Sequence, residues 1–270
     1  MSVLRTRLLF GSFMTALTVG LLWSELFGFP VRVWLVPLVA ALAQWEFYAM
    51  AQSGGWPAQK KIGLAAGLIW TTSGLWWPWG ELTASAFLTG VMLLLFVRAV
   101  LAQAVEGAPG RIGVTLLGIL GIPFLLVYLA WMPWHWAVFC ILVSKVGDSC
   151  AYFAGSAFGR HKLIPAVSPN KSWEGAVASL LGALLASWAF WSWNSTLSEY
   201  SLWIILLIGS VTNVGAQLGD LSESLLKRGC KVKDSAALIP VAGGMFDLVD
   251  SFLLAAPTLY FILTLFNIPS

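Results

Sequence analysis

Two aspartates near the carboxyl end of the chain, Asp247 and Asp250, lie three residues apart inside an apolar stretch. Residues at this spacing project from one face of a helix, so the two carboxylates would point the same way. Neighbouring carboxylates repel each other unless a cation lies between them. The first chemistry that the sequence indicates is therefore a site for a hard divalent cation with oxygen ligands.

A third carboxylate, Asp220, ends the preceding apolar stretch, where Asn213 and Gln217 precede it along a polar helical stripe. Four cations lie in the segment after it: Lys227, Arg228, Lys231 and Lys233. Carboxylates that bind a metal ion, next to cations that bind phosphate oxygens, are what a metal-bound polyphosphate requires. Two glycines, Gly243 and Gly244, then precede the last helix, whose bare N–H groups would allow an anion to approach closely.

A second polar segment runs from Gly155 to Gly175 and is rich in glycine, proline and basic residues. Within it, residues 168–170 (Ser-Pro-Asn) form a turn sequence, and Lys171 and Ser172 supply a cation and a hydroxyl directly before the next helix. We predict that this segment binds a phosphate headgroup or a nucleotide. The alternative is an ordinary positively charged cytoplasmic loop.

These charged residues also have a simpler explanation, in which the carboxylates pair with Lys145 and the loop lysines and hold helices together. Structural ion pairing is a reasonable explanation for any one of these residues. It explains the whole group less well, because the acidic and basic residues are concentrated at the same end of several apolar stretches. Glu46 is a separate case, since it lies in an apolar stretch without an obvious partner. It is expected to be a polar group at a helix end or part of a cavity lining.

The composition requires that membrane-spanning helices position these residues. Of the 270 residues 59% are hydrophobic and 10% are charged, whereas soluble domains carry about 25% charged residues. One bilayer crossing needs roughly 20 apolar residues. Such stretches lie near 8–27, 30–50, 62–79, 84–104, 112–131, 134–156, 176–193, 201–222 and 244–266. We predict an all-α, polytopic integral membrane protein with about nine transmembrane helices, the first of them a span and not a cleaved signal peptide.

The distribution of basic residues predicts the orientation in the membrane. With the amino terminus in the cytoplasm, the inside segments hold nearly all of them: Arg5, Arg7, Lys60, Lys61, Arg98, Arg111, Arg160, Lys162, Lys171, Lys227, Arg228, Lys231 and Lys233. This asymmetry follows the positive-inside rule and leaves the carboxyl terminus outside. The polar segments would then lie at the cytoplasmic face of the cell inner membrane. Three cysteines without paired spacing are expected to be packing residues, and nothing in the charge pattern suggests nucleic-acid binding.

The stretch SESLLKRGCKVKDSAALIPVAGGMFDLVDS, residues 222–251, resembles the C-terminal motif of the phosphatidate cytidylyltransferases, also called CDP-diacylglycerol synthases. The matching positions are Ser224, Lys227, Arg228, Lys233, Asp234, Pro240, Gly243, Gly244, Asp247 and Asp250. An earlier segment matches as well, at Asp148, Ala151, Tyr152, Phe153, Gly155, Gly159, Ser168, Pro169, Lys171, Ser172, Trp173, Glu174 and Gly175. Two positions depart from the family pattern, with Ala242 in place of a histidine and Leu248 in place of an arginine.

The resemblance implies that CTP and phosphatidic acid give CDP-diacylglycerol and pyrophosphate. It implies Mg²⁺ ligands at Asp220, Asp247 and Asp250, with Lys227, Arg228 and Lys233 joining Asp220 and Asp247 as catalytic residues. The substrate-binding residues would be Asp148, Ser168, Lys171, Ser172, Glu174, Ser224, Gly243 and Gly244. A monovalent cation beside Mg²⁺ and a homodimer are compatible with this pattern. The resemblance covers about the C-terminal half, so we assign residues 136–270 to the catalytic transmembrane region and 1–135 to N-terminal transmembrane helices.

Three other functions remain as alternatives. Buried aspartate and lysine residues in spans with glycine and proline breaks also occur in ion-coupled transporters. A polyprenol or dolichol kinase would share a membrane site and a nucleotide with the cytidylyltransferases. A structural or assembly subunit is disfavoured, because so many charged groups in membrane spans are unfavourable without a function.

Overall fold

The computed structural model describes residues 31–73, 81–103, 105–235 and 243–269. Within these ranges the chain forms ten α-helices and one two-stranded sheet. In chain order they are α1 (Val31–Ser53), α2 (Lys60–Ser73), α3 (Glu81–Leu101), α4 (Ala108–Gly121), α5 (Pro123–Trp131), α6 (Trp134–Phe158), β1 (Lys162–Ile164), β2 (Ser168–Ser172), α7 (Trp173–Trp193), α8 (Ser195–Ser198), α9 (Leu202–Gly229) and α10 (Met245–Leu265).

Seven helical stretches in the described part of the chain are long and apolar enough to cross a membrane. They are Trp34–Ser53, Ala84–Leu101, Ala108–Trp131, Trp134–Phe158, Trp173–Trp193, Leu202–Gly229 and Met245–Leu265. Each corresponds to a predicted span, and together they confirm an all-α, polytopic membrane protein. The predicted span at 8–27 lies outside the described residues, as does the end of the span at 62–79, which begins in α2. The number nine therefore stays a prediction.

The chain divides into two compact units, and the first comprises Met1–Trp131 and Gly229–Leu248. Tyr48 of α1 fills the space between neighbouring helices, because a Cβ atom on Gly63 of α2 or Gly118 of α4 would overlap the Tyr48 side chain. The Tyr48 hydroxyl donates to the carbonyl oxygen of Thr115 (2.8 Å), and Gln44 Nε2 donates to that of Gly63 (2.9 Å). Hydrogen bonds to the backbone thus satisfy the Tyr48 hydroxyl and the Gln44 amide nitrogen, which helix packing has buried.

The second unit comprises Met132–Arg228 and Val249–Ser270. In it, α9 and α10 approach closely at two glycines of α9 that are four residues apart. A Cβ atom on Gly215 would lie 2.9 Å from Thr258 Oγ1, and one on Gly219 would overlap the backbone oxygen of Asp250. Small residues at this spacing allow the backbones of membrane helices to come together. The contact places Asp220, the next residue of α9, close to Asp250 of α10.

The polar segment between α6 and α7 forms an antiparallel hairpin in which Lys162 lies opposite Ser172 and Ile164 opposite Ser168. The prediction of a turn at residues 168–170 is wrong, because these residues belong to β2. The turn lies at Pro165–Val167 instead, where Val167 N donates to Ile164 O (3.1 Å). Proline has the φ angle that the second residue of such a turn requires. The division into 1–135 and 136–270 concerns catalysis and stays a prediction.

Candidate metal and substrate site

Three carboxylates of the second unit form one cluster. Asp220 and Glu223 of α9 and Asp250 of α10 each place a carboxylate oxygen within 4.8 Å of the others. Asp220 and Glu223 are three apart on one helix and therefore share a face. Glu223 is 1% exposed and Asp250 9%, while Asp220 is half-buried. Three carboxylates at this separation and depth repel one another unless a cation or protons lie among them.

The donor set of this cluster fits a hard divalent cation. All three ligand groups are carboxylates, the ligand class that such ions prefer in proteins. Mg²⁺ commonly uses only one or two protein carboxylates and completes its coordination with waters and substrate phosphates. The acidic cluster, meaning Asp220, Glu223 and Asp250, could therefore hold a metal ion and still leave coordination positions for a substrate.

Two lysines from the predicted site contact the acidic cluster. Lys171 Nζ of β2 lies 2.6 Å from Asp220 Oδ2, and Lys227 Nζ lies 2.7 Å from Glu223 Oε1, one turn earlier on α9. The Lys171 side chain is 25% exposed, whereas that of Lys227 is 13% exposed. The structure thus brings Lys171, Lys227 and Asp220 together although the sequence separates the first from the other two by about fifty residues.

Asp148 joins the acidic cluster through a serine that sequence reasoning missed. Ser251 Oγ of α10 lies 3.0 Å from Asp148 Oδ2 and 3.0 Å from Asp250 Oδ1, and the Ser251 backbone N–H donates to Asp250 (2.6 Å). Lys145 Nζ is 3.5 Å from Asp148. A hydroxyl has one proton to donate, so Ser251 donates to one of the two carboxylates at a time. Ser251 therefore lies between Asp148 of α6 and Asp250 of the acidic cluster.

Asp247 lies in the first unit, where it organises the start of α10. Its Oδ2 atom accepts hydrogen bonds from Gly244 N (2.7 Å), from Ser235 Oγ (2.7 Å) and from Ser235 N (3.2 Å). A side chain at the third helical position that accepts from the N–H before the helix forms half of a capping box. The prediction that Asp247 binds a metal ion stays a prediction, as does that of substrate binding by Gly243 and Gly244.

Glu46 has partners about 200 residues away in the sequence. Its carboxylate accepts from Met245 N (2.8 Å) and from Phe246 N (2.8 Å), and its Oε2 atom lies 3.2 Å from Ser235 Oγ, whose one proton goes to Glu46 or to Asp247. The side chain is completely buried. No local signal identifies such a long-range contact, so the sequence left Glu46 without a partner.

Residues at the junction of the hairpin and α7 hold that junction together. Ser172 Oγ accepts from Gly175 N (3.1 Å), as a helix N-cap does. Glu174 accepts from the backbone N–H of His161 (3.2 Å), whose ring Nδ1 lies 2.7 Å from the same carboxylate oxygen. These hydrogen bonds connect the hairpin to α7. They thereby fix the position of β2, which carries Lys171 and, at its other end, Ser168. Substrate binding by Ser168, Ser172 and Glu174 stays a prediction.

The remaining predicted residues follow Asp220 and Glu223 along the chain. Ser224 and Lys227 are half-buried in α9, whereas Arg228 and Lys233 are exposed. Of the two departures from the family pattern, Leu248 lies in the first turn of α10, and Ala242 lies outside the described residues.

The sequence matches the profile of the cytidylyltransferase family over residues 5–266. The phosphatidate cytidylyltransferase of Haemophilus influenzae is 40% identical over 136 residues, which cover 50% of this chain and 43% of that protein. That of Bacillus subtilis is 42% identical over 128 residues, covering 47% and 46%. That of Mycobacterium bovis is 28% identical over 273 residues, covering 92% and 86%. The chain thus spans less than half the length of the first two relatives in these matches.

Proposed function

Because the chain belongs to the cytidylyltransferase family, we propose that it is a phosphatidate cytidylyltransferase, which converts CTP and phosphatidic acid into CDP-diacylglycerol and pyrophosphate. The observation that carries this proposal is the acidic cluster on α9 and α10 with Lys171 and Lys227 bound to it. Carboxylates for a metal ion next to cations for phosphates are what a nucleotide-dependent phosphate transfer needs. The phosphatidate cytidylyltransferases among its relatives support the choice of substrates.

The reaction requires alignment and charge neutralisation more than acid–base chemistry. An oxygen of the lipid phosphate attacks the α-phosphorus of CTP, and the bond from this phosphorus to the oxygen bridging it to the β-phosphate breaks. The electron pair of that bond leaves with pyrophosphate. The lipid phosphate is already an anion, so no strong base has to activate it. The protein must hold two anionic reactants together and stabilise the charge that develops on pyrophosphate.

The carboxylates of the acidic cluster would hold the metal ion, with Asp220 and Asp250 as ligands and Glu223 beside them. Asp247 would be a further ligand, as the family resemblance implies. Mg²⁺ bound there would offset the negative charge of the triphosphate and of the pyrophosphate that leaves. A monovalent cation could share this site, since the donor oxygens are several. Ser251 and Asp148 would orient the Asp250 carboxylate.

Basic residues would bind the phosphates of both substrates. Lysine binds phosphate as a point charge, and Lys171 and Lys227 already lie within ion-pair distance of the acidic cluster. Lys227, Arg228 and Lys233 would neutralise the departing pyrophosphate. Ser168, Lys171 and Ser172 on β2 would contact the lipid phosphate or the nucleotide, with Glu174, Ser224, Gly243 and Gly244 completing substrate binding.

The location follows from how the two substrates arrive. The lipid reaches the protein sideways from the bilayer, and CTP reaches it from water, so the site should be open to both. The basic residues favour the cytoplasmic face, with the amino terminus inside and the carboxyl terminus outside. In a bacterial cell this places the enzyme in the inner membrane. Dimerisation through the N-terminal helices would leave this arrangement unchanged.

A labelling experiment with purified protein in detergent tests the proposed reaction. CTP labelled at the α-phosphate and CTP labelled at the γ-phosphate are each incubated with Mg²⁺ and with either phosphatidic acid or a polyprenol. A cytidylyltransferase transfers only the α-label to the lipid and releases the γ-label as pyrophosphate. Transfer of the γ-label to a polyprenol would instead identify a lipid kinase. Ion flux in proteoliposomes without nucleotide turnover would identify a transporter, and either result would contradict the proposal.

A further inference from the structure

The last helix, α10, has no side chain at the position directly before it that could accept from its first N–H groups. The first N–H groups of any helix have no partner within the helix, and a serine, threonine, aspartate or asparagine side chain before the helix usually accepts from them. The residue before α10 is Gly244, which has no side chain. The N–H groups at this helix start therefore need an acceptor from elsewhere in the protein.

Glu46 of α1 supplies that acceptor. One of its oxygens accepts from Met245 N and the other from Phe246 N, both at 2.8 Å. The carboxylate thus binds the first two N–H groups of α10 at the positive end of the helix dipole, where negative charge is favoured. Glu46 lies in a membrane-spanning helix and is completely buried.

Two glycines, Gly243 and Gly244, precede α10, and the geometry of the contact with Glu46 favours glycine at both positions. A Cβ atom on Gly244 would overlap the Glu46 carboxylate and the Ser235 hydroxyl. Gly243 adopts a φ of +87°, which non-glycine residues rarely adopt. The sequence suggested that an anion could approach these glycines closely, and in the structure the carboxylate of Glu46 does so.

The same contact reaches Asp247 through Ser235. Ser235 Oγ lies 3.2 Å from Glu46 Oε2 and 2.7 Å from Asp247 Oδ2. Asp247 Oδ2 also accepts from Gly244 N (2.7 Å). The orientation of the Asp247 carboxylate is therefore fixed by two groups near Glu46. One is the hydroxyl of Ser235, which contacts Glu46, and the other is the backbone N–H of Gly244, which precedes the two residues that Glu46 binds.

The need to cap α10 does not by itself explain why a buried carboxylate of another helix accepts these hydrogen bonds. A charged group within a membrane span is unfavourable and usually has a function. Most helices are capped by a serine, threonine, aspartate or asparagine directly before them and need no buried acid from another helix. What the glutamate adds is a contact from α1 to Ser235, whose hydroxyl donates to Asp247 or to Glu46, one at a time.

We propose that Glu46 is a positioning residue that orients Asp247 for metal binding by holding the start of α10 and Ser235. This inference rests on the proposed function in one respect, namely that Asp247 is a metal ligand. Groups that hydrogen-bond to metal-binding carboxylates commonly affect metal affinity although they do not touch the metal. The N-terminal helices, which matched the family only as apolar spans, would then contribute to the reaction.

The test compares Glu46→Gln and Ser235→Ala with the parent protein, purified in detergent. Glu46→Gln keeps the shape but directs an amide group at a backbone N–H, and Ser235→Ala removes only the hydroxyl between the two carboxylates. Mn²⁺ binding followed by electron paramagnetic resonance gives the metal affinity without requiring turnover. Both variants should bind Mn²⁺ roughly 10–100-fold more weakly, and the Mg²⁺ concentration for half-maximal turnover should rise in parallel.

Gln44→Leu is the matched control, because Gln44 is a completely buried polar residue of the same helix that bonds to Tyr48 and Gly63. It should lower the melting temperature and leave the Mn²⁺ affinity at the parent value. Hydrogen exchange at the Met245 and Phe246 amides should accelerate in Glu46→Gln but not in Gln44→Leu.

The outcomes separate this proposal from the proposed function. If Glu46→Gln and Ser235→Ala melt earlier but bind Mn²⁺ like the parent, Glu46 is only a helix cap and the proposal is overturned, whatever the reaction. If the parent binds no Mn²⁺, the proposal is also overturned. If both variants lose Mn²⁺ affinity while the parent makes no CDP-diacylglycerol, the positioning role stands and the proposed reaction is wrong.

Discussion

Lys171 and a metal ion would compete for the same carboxylate. The Lys171 ammonium lies 2.6 Å from Asp220 Oδ2, and both side chains are partly exposed. A divalent cation at the acidic cluster would have to displace this ammonium or share the oxygen with it. When CTP binds, its phosphates offer the displaced ammonium a new partner. Lys171 would then link occupation of the metal site to phosphate binding.

The first prediction concerns Lys171→Met, which keeps the length of the side chain but removes its charge. The divalent affinity of the nucleotide-free protein should rise by up to about fivefold, because a partly exposed ion pair contributes about 0.2 to 1 kcal/mol. Cytidylyl transfer should nevertheless fall, since a phosphate contact is lost. Mn²⁺ titration and the labelled-CTP assay measure the two effects.

Lys162→Met is the control for this variant, because Lys162 is an exposed cation of the same hairpin, opposite Ser172. It should change neither the divalent affinity nor the rate of cytidylyl transfer appreciably. A Lys171→Met variant with parent-like metal affinity would show that the ion pair with Asp220 does not compete with the metal.

The sequence predicted some individual residues of the site and missed others, and the reasons can be identified. The spacing that placed Asp247 and Asp250 on one helix face applies equally to Asp220 and Glu223, so Glu223 could have been assigned to the site from the sequence. Ser251 could not, because serine next to an aspartate is common and its bond to Asp148 joins distant helices.

Helix packing rather than loop geometry determines the acidic cluster. Asp220 follows Gly219 directly, and Gly219 contacts the backbone of α10 at Asp250. The distance between the α9 and α10 carboxylates therefore depends on how closely these two helices approach. A small change in their separation should be measurable as a change in metal affinity.

We expect Gly219→Ala to force α9 away from α10, because the new methyl group would overlap the backbone oxygen of Asp250, which cannot rotate away. Overpacking of this kind costs about 1–3 kcal/mol. The variant should melt at a lower temperature and bind Mn²⁺ more weakly. Thermal unfolding in detergent and Mn²⁺ titration check both effects.

The matched variant is Gly229→Ala at the end of the same helix, where an added Cβ atom meets no atom within 4 Å. Alanine favours helices by up to about 1 kcal/mol over glycine, so this variant should be as stable as the parent or more stable. Equal effects of the two substitutions would argue against a specific role for the Gly219 contact.

The sequence indicated some elements better than others. The apolar stretches predicted α6, α7, α9 and α10 well, because hydrophobic length is a strong signal for membrane helices. The sequence predicts a turn at residues 168–170, whereas the structure has a hairpin that turns at Pro165–Val167. Two prolines four residues apart, Pro165 and Pro169, offered alternative turns, and only the pairing of Lys162 with Ser172 selects Pro165.

The charge distribution of the whole molecule determines its proposed orientation. Basic residues are concentrated in the hairpin and after α9, whereas the segment between α7 and α9 has none. By the positive-inside rule the hairpin should face the cytoplasm and the α7–α9 connection should face outward.

Cysteine labelling tests this orientation in a variant whose Cys140, Cys150 and Cys230 are replaced by alanine. A cysteine introduced at Ser195 should react with a membrane-impermeant maleimide in cells with a permeable outer layer and an intact inner membrane. A cysteine at Ala166, in the turn of the hairpin, should react only after that membrane is opened. The reverse pattern would invert the proposed topology and place the hairpin outside.

The organisation into two units could not be predicted from one sequence. Residues Gly229–Leu248, which begin with the last residue of α9, belong to the first unit, where Glu46 binds the start of α10. Contacts between residues about 200 positions apart leave no periodicity or spacing to detect. The spans and their polarity, by contrast, follow from local composition, which is why the membrane architecture could be predicted.

The most direct test of the central claim is Mg²⁺-dependent formation of CDP-diacylglycerol by purified parent protein, Asp220→Asn and Asp250→Asn. Glu199→Gln serves as the control, since Glu199 is an exposed carboxylate after α8. The parent and the control should turn over only with a divalent cation, and both aspartate variants should lose on the order of 100-fold or more of the activity. Turnover that persists in both aspartate variants, or in the parent after chelation of divalent cations, would contradict the account.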